Sequence, residues 1–349
     1  HILLVGGRAK RAQVYPDELC KNILTGVMNQ MKRDGRLNSG MIGMVGSTEE
    51  GEIVFWDDVS GKVLNTEGVL AARQEEIGEF KKFGVYVKVP IEECYKVTGK
   101  APLQIKWIDI NKGDDLIQEL RSRLVAKEIK RDKRDDLFAA TPPLEALKIL
   151  LSLAVTEGIG YEKDNRKKGM KLDIIDVKRA YFQAKARRDV YVQLPEEDYE
   201  EGMCGKLEKS MYGTRDAAQN WEEEYAGFME GIEFVRGTAS PCVFHHEERN
   251  IRAVIHGDDF TMLGHEDQLN WFREKMKAKF EVKFRARLGA GPGDDKSVRV
   301  LNRVIEWDDD GIWYEADQRH AEIIVGRLGL KDKRNVITPG VKVESQKDE

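Results

Sequence analysis

The stretch Ile251-Arg252-Ala253-Val254-Ile255-His256-Gly257-Asp258-Asp259-Phe260-Thr261-Met262-Leu263 decides how the rest of this chain is read. Two apolar-rich runs, Ile251–His256 and Thr261–Leu263, flank Gly257-Asp258-Asp259-Phe260, so the segment predicts a hairpin with an acidic tip. Gly-Asp is by itself an ordinary turn dipeptide, and a solvated Asp-Asp turn is the bland interpretation. Two ionised carboxylates about 5 Å apart repel by roughly 3 kcal/mol at an effective dielectric near 20, so a fold that keeps them together gains from a bound cation.

A third carboxylate changes the balance. Asp176 closes the apolar, strand-like run Leu172-Asp173-Ile174-Ile175-Asp176-Val177 well upstream. Three carboxylates delivered by strand ends suit two-metal phosphoryl or nucleotidyl transfer, because two hard cations about 3.5–4 Å apart need oxygen ligands. The pattern predicts a polymerase palm. Asp173, three residues before Asp176 on the same strand, should face the other way and serve a structural purpose.

The 349 residues suffice for two or three subdomains with a sizeable core. With 34% charged and 41% hydrophobic residues, the composition suits a soluble globular protein. A net charge of −5 excludes a uniformly basic nucleic-acid binder, but charge is unevenly distributed. Residues 121–134 carry seven Lys/Arg against two acids, 161–190 ten against five, and 271–287 seven against two. Three such islands in an otherwise acidic chain can line a channel for a phosphate backbone, although each alone reads equally as a solvated helix face. Cys20, Cys94, Cys204 and Cys242 have no paired spacing, which argues against a disulfide framework or a zinc knuckle. Cys242, His245 and His246 lack a fourth ligand and fall on a predicted strand whose side chains alternate. No signal peptide or membrane span is expected, since the opening apolar run Ile2–Val5 is short. The first residue, His1, and the polar end, Glu344–Glu349, suggest a segment of a longer protein.

Periodicity supplies the elements. Helices are predicted over Asp17–Lys32, from Thr66 as N-cap to Lys82, over Leu144–Val155 after Thr141-Pro142-Pro143, over Ala217–Met229 and Glu266–Phe280, and near Gln318–Leu328. The segment Lys178–Arg188 is short and helix-competent. Strands are predicted within Met41–Phe55 and at Val85–Val89, Ile105–Ile110, Arg123–Ala126 and Asp189–Leu194, followed later by a glycine-rich loop at Gly289–Gly293 and a hairpin turning at Asp308–Gly311.

Taken in order, the motifs resemble the reverse transcriptase of copia-type LTR retrotransposons, one part of a Pol polyprotein. The resemblance covers roughly residues 65 to 340. The family's fingers string, Lys-Ala-Arg-Leu-Val-Ala-Lys-Gly after a Lys-Trp strand, is matched by Lys106-Trp107 and Arg121-Ser122-Arg123-Leu124-Val125-Ala126-Lys127-Glu128. Phe138-Ala139-Ala140-Thr141-Pro142 matches its Phe-(Ser/Ala)-Pro-Val element loosely. Gln-Leu-Asp-Val-Lys-Asn-Ala-Phe becomes Ile174-Ile175-Asp176-Val177-Lys178-Arg179-Ala180-Tyr181, and the Tyr-Val-Asp-Asp box becomes His256-Gly257-Asp258-Asp259. The family's Lys-Ser-Leu-Tyr-Gly-Leu-Lys-Gln-Ala-Pro-Arg-x-Trp becomes Lys209-Ser210-Met211-Tyr212-Gly213-Thr214-Arg215-Asp216-Ala217-Ala218-Gln219-Asn220-Trp221.

The resemblance implies an α+β right-hand polymerase: an N-terminal flank at 1–64, fingers and palm at 65–264, and a thumb or connection-like region, partly helical, at 265–349. It implies RNA-directed DNA polymerase activity with two Mg²⁺ (or Mn²⁺) ions on Asp176, Asp258, Asp259 and the Val177 carbonyl. Tyr181 would be the aromatic that excludes a 2′-hydroxyl. Arg121, Arg123 and Lys127 would grip the triphosphate, with Asp216 beside the nascent base pair, and Lys106, His256 and Gly257 would meet template or primer. Implied partners are an RNA template, a DNA or RNA primer, deoxynucleoside triphosphates and the RNase H and integrase of the parent polyprotein, with no membrane and an intracellular location, in cytoplasmic particles or the nucleus. Two departures stand out: Asp216-Ala217-Ala218 for Gln-Ala-Pro puts a carboxylate where an amide is expected, and His256-Gly257 replaces Tyr-Val. The alternatives are a catalytically decayed nucleic-acid-binding remnant and, because Gly-Asp-Asp is used by viral enzymes, an RNA-directed RNA polymerase.

Overall fold

The computed structural model describes residues 45–47, 53–113, 117–129, 139–163, 165–316 and 318–330. The helix expected at Asp17–Lys32 and Phe138 of the loosely matched element lie outside them. In chain order the elements begin with β1 (Val45–Ser47), β2 (Ile53–Trp56), β3 (Val63–Leu64), α1 (Thr66–Phe83), β4 (Tyr86–Pro90), α2 (Ile91–Thr98), β5 (Ile105–Asn111) and β6 (Leu120–Ala126). Next come α3 (Leu144–Ala154), β7 (Lys171–Val177), α4 (Ala180–Gln183), β8 (Tyr191–Val192), β9 (Met203–Leu207) and α5 (Ala217–Gly231). The remainder is β10 (Val235–Arg236), β11 (Val243–His246), β12 (Ile251–His256), β13 (Asp259–Gly264), α6 (Glu266–Lys279), β14 (Val282–Leu288), β15 (Ser297–Val300), β16 (Arg303–Trp307), β17 (Ile312–Ala316) and α7 (Gln318–Arg327). No helix among the described residues is long and apolar enough to cross a membrane.

Two compact units interleave along the chain, one from residues 1–134 and 185–217, the other from 135–184 and 218–349. The chain passes between them after residues 134, 184 and 217. The first unit holds the sheets β1-β2-β3 and β4-β9-β8 and the hairpin β5-β6, all antiparallel. Helix α1 starts one residue earlier than the Thr66 cap predicts: the Asn65 side chain accepts from Gly68 N at 2.7 Å. It ends at Gly84, whose φ of +60° only glycine adopts without cost. Its inner face buries Val69, Ile77 and Phe80 together with Arg73, whose guanidinium bonds Asp109 at 2.6 Å and stacks on Phe55 and Trp107.

In the second unit six strands form an antiparallel sheet in the order β10-β11-β12-β13-β7-β14. Strand β7 is flanked on both sides, and helices or a second sheet cover both faces, which explains its nearly continuous apolar sequence. On one face Ile175, Val177, Phe260 and Met262 pack against Trp221, Tyr225 and Met229 of α5 and Leu269, Phe272 and Met276 of α6. On the other, Leu172, Ile174, Val254 and Leu263 pack against Leu147, Leu150 and Leu151 of α3 and Val300, Ile305 and Trp307 of the sheet β15-β16-β17. Each fully buried large apolar side chain contributes about 1.5–3 kcal/mol.

Two expectations need correction. Only Ala180–Gln183 of the segment 178–188 is helical, and the strand expected over Asp189–Leu194 shrinks to Tyr191–Val192. From residue 265 onward the described residues are partly helical, as expected, with α6 and α7 separated by strands. Helix α6 spends its apolar stripe on the palm core, β14 joins the palm sheet beside β7, and a β-sheet follows.

Candidate active site

The hairpin β12–β13 closes with His256 opposite Asp259, leaving Gly257 and Asp258 as a two-residue loop. Gly257 has φ +62°, the positive value a type II′ turn demands at its first central residue. Its carbonyl accepts from the Trp221 indole N–H at 2.8 Å, which ties the tip to α5. The Asp258 carbonyl accepts from Val177 N at 2.9 Å, so the loop is bound to the end of β7 as well.

Across the next ladder Asp259 lies opposite Asp176, and across the one after that Asp176 lies opposite Lys283. A single row, Lys283, Asp176, Asp259 and His256, therefore crosses four strands at one end of the sheet. Directly opposed residues have Cβ atoms about 4.5–5.5 Å apart, so the two acids share one patch of surface. Strand alternation puts Asp173 on the opposite face, where Arg273 and Arg287 each bond both its oxygens at 2.6 and 2.8 Å. Asp173 is completely buried.

Burial pushes the Asp259 carboxyl above the ordinary carboxylate range; the charge of Asp258, and to a smaller degree that of Asp176, acts in the same direction, while Arg285 opposes it. A shallow cavity of about 250 Å³ opens beside this carboxylate. Its walls include His256, Asp259, Thr261, Leu144 and the turn Leu301-Asn302. That turn joins β15 to β16 with φ of +49° and +59°, the type I′ geometry that lets the hairpin follow the sheet twist.

Tyr181 lies on the single-turn helix α4, half-buried against the palm core, whereas Phe182 is fully buried. Between Asp176 and Tyr181 the chain turns at Arg179, a non-glycine residue with φ +48°. The resembling family has Asn there, a residue that tolerates this conformation better than arginine.

Lys106, Arg121, Arg123, Lys127 and Asp216 all belong to the first unit. Lys106 faces Val125 and Arg123 faces Ile108 across the β5–β6 hairpin, with Arg121 exposed. The Arg123 guanidinium lies 4.9 Å from the Tyr212 ring centre. Lys127 continues past β6, its amide bonded to Gln104 O. Asp216 is 5% exposed and accepts from Arg188 at 2.8 Å. Arg188 is also held by both Glu128 oxygens, at 2.9 and 2.5 Å. Glu128 and Asp216, which replace glycine and glutamine of the family pattern, thus share one guanidinium.

A model of the family described as "Reverse transcriptase (RNA-dependent DNA polymerase)" matches residues 93–290. The chain belongs to this family. The reverse transcriptase domain is 25% identical over 282 residues to the retrovirus-related Pol polyprotein from transposon TNT 1-94 of Nicotiana tabacum, covering 78% of this chain and 20% of that protein. It is 23% identical over 190 residues to the Pol polyprotein from transposon RE1 of Arabidopsis thaliana, covering 51% of this chain and 12% of that protein. Both relatives are of the copia type, in agreement with the motif resemblance. The chain spans one fifth or less of these polyproteins. Among solved structures it is similar to the foamy viral protease-reverse transcriptase in complex with double-stranded DNA, with a TM-score of 0.36 and 12% identity over 86% of this chain and 48% of that one.

The reverse transcriptase motifs made Asp176, Asp258 and Asp259 visible in sequence, but not the cations around them. Lys283 and Arg285 lie in a run of alternating charge, and nothing local marks them as neighbours of the acids. Trp221 was legible as part of a motif, while its bond to Gly257 depends on the tertiary fold. Among the described residues no three His, Cys, Asp or Glu side chains form a ready-made metal cage. The donors nonetheless suit Mg²⁺, which prefers one or two carboxylates and takes its other ligands from water and substrate phosphates. The mutual repulsion acting on Asp259 is what a divalent ion would relieve.

Proposed function

We propose that this reverse transcriptase domain is an RNA-directed DNA polymerase that extends a primer 3′-hydroxyl with deoxynucleotides, using Asp176, Asp258 and Asp259 to hold two divalent ions. The observation that carries this is the cross-strand pairing of Asp259 with Asp176, with Asp258 tied by its carbonyl to Val177. Bound there, the ions would activate the 3′-hydroxyl and stabilise the departing pyrophosphate. The protein's own contribution is positioning. The Trp221 and Val177 bonds hold the tip, so the carboxylates need little reorganisation when substrate arrives. His256 and the cavity beside Asp259 border the primer end, and Tyr181 sits under the incoming sugar, where its ring excludes a ribose by steric conflict. Arg121, Arg123 and Lys127 serve the triphosphate, since guanidinium groups clamp phosphate bidentately and stay charged. Lys106 meets the template. The remaining partners follow from the polyprotein relatives: an RNA template, a DNA or RNA primer, and companion Pol domains.

Primer extension on poly(rA)/oligo(dT) with Mg²⁺ or Mn²⁺ tests this. Asp258→Asn should reduce extension by roughly a hundredfold or more, the equivalent of about 3 kcal/mol of transition-state stabilisation, and leave hybrid binding nearly intact. Unchanged extension removes the metal assignment. A wild-type chain that binds hybrid and extends nothing is a decayed remnant.

A further inference from the structure

Strand β14 changes face part-way along. Val282 and Phe284 pack on the core beneath α6, but Ala286 and Leu288 belong to the opposite core, although all four are evenly spaced. The cause is a register break: Phe284 pairs with Ile175 and Ala286 with Ile174, so Arg285 is an extra residue with no partner on β7. Such a bulge re-aims side chains. Here Arg285 is directed to the acidic face, where its Nη1 donates to Asp259 Oδ1 at 3.2 Å and its Nη2 to the Arg299 carbonyl at 2.5 Å. The pair is partly sheltered, with side-chain exposures of 31% for Arg285 and 16% for Asp259.

We infer that Arg285 is a resident counter-ion of Asp259: a bulge-borne guanidinium that holds this carboxylate while no metal is bound and must be displaced before a divalent ion can use it. This rests on the metal-binding role proposed above for the acidic row. Three features support it. The bulge exists at this residue alone on β14, and its geometric effect is to place the arginine on the acid. The Arg299 carbonyl offers the guanidinium a second partner on β15, so the side chain has a place to remain after Asp259 turns away. Finally, Lys283 lies opposite Asp176 while Asp259 has Asp258 as its immediate neighbour and faces Asp176, so Asp259 is the acid of the row whose repulsion a further cation relieves, which gives the arginine a reason to be there. The consequence is a competition between one fixed monovalent cation and a diffusible divalent one. Arg285 would set the metal concentration that the domain requires and keep the carboxylate pre-aligned.

The test is Mn²⁺ binding to the purified chain, followed by the loss of the free-ion electron paramagnetic resonance signal. Wild type, Arg285→Gln, Arg285→Met, Arg285→Lys and Asp259→Asn would be compared, with thermal melts on each. Displacement of a partly exposed ion pair predicts that Arg285→Gln and Arg285→Met bind Mn²⁺ about two- to tenfold more tightly, with Arg285→Lys close to wild type. Asp259→Asn should lose the site. A lower melting temperature with unaltered or weaker Mn²⁺ affinity in both neutral variants would mean that Arg285 is only a brace between β14 and β15, and the inference falls while the metal site stands. Absence of Asp259-dependent Mn²⁺ binding in the wild type and both neutral variants would overturn the metal assignment and this inference together.

Discussion

Asp176 and Tyr181 are five residues apart, and what lies between them determines whether both can serve one site. Strand β7 ends at Val177, Arg179 takes a left-handed conformation, and α4 begins at once. That sharp turn leaves Phe182 wholly inside and Tyr181 half-exposed, so only one of the two adjacent rings is available to a substrate. A valine at position 181 removes the ring without touching Phe182. Tyr181→Val should therefore retain fold and primer binding, and raise ribonucleotide incorporation relative to deoxyribonucleotide by at least tenfold, since the discrimination is a steric cost of 1.4 kcal/mol or more. Single-nucleotide extension with paired rNTP and dNTP titrations measures it. Unaltered selectivity would reassign Tyr181 to packing, and wild-type preference for rNTPs would favour an RNA-directed RNA polymerase. At this scale the sequence supplies the offset of Tyr181 from Asp176, and is silent where a partner comes from a distant segment, as for Arg188 beside Asp216.

Strand β7 shows how one element divides two jobs by alternation. Asp176 joins Lys283, Asp259 and His256 in the row on one face, and three residues away Asp173 is sealed on the other between Arg273 of α6 and Arg287 of β14. Removing one member of a buried ion cluster strands the others, at a cost of about 3–5 kcal/mol. Asp173→Ala should thus lower unfolding free energy by that amount in urea, whereas Asp176→Asn should leave it unchanged or raise it by relieving repulsion with Asp259. Equal destabilisation by the two substitutions would contradict the division. The hydrophobic period predicted α3, α5 and α6 nearly to the residue because their stripes are long and uninterrupted. It could not reveal that β14 belongs to the palm sheet, since its face switches at a bulge and the apolar spacing therefore satisfies neither face throughout. The short α4 was over-extended in sequence for the opposite reason: Lys178–Arg188 permits a helix, but the chain turns at Arg179 and becomes extended again at Ala184, where Lys185 bridges to Lys209 of a distant segment.

For the molecule as a whole, net charge and local islands point to different partners, and the structure shows why counting charges overstates a channel. Of the cations in residues 271–287, Arg273 and Arg287 are committed to buried Asp173, Lys277 and Lys279 to Glu274 and Glu224, and Arg285 to Asp259. In the second island Lys171 is paired with Asp294 and Glu266, and Arg188 with Glu128 and Asp216. The single 3-10 turn Arg166–Lys168 is different, because Lys167 and Lys168 point into solvent. If hybrid binding draws on such exposed cations, log affinity should fall linearly with log salt concentration, by about one unit of slope for each phosphate neutralised. Lys167→Gln with Lys168→Gln should then flatten the slope by about one to two units and weaken binding to all sequences alike. Lys277→Gln with Lys279→Gln, which removes the same charge from committed positions, should leave the slope where it was. Fluorescence anisotropy of a labelled RNA–DNA hybrid between 50 and 200 mM salt distinguishes the pairs, and an equal response from both would mean that net charge, rather than the placement of particular lysines, governs the encounter.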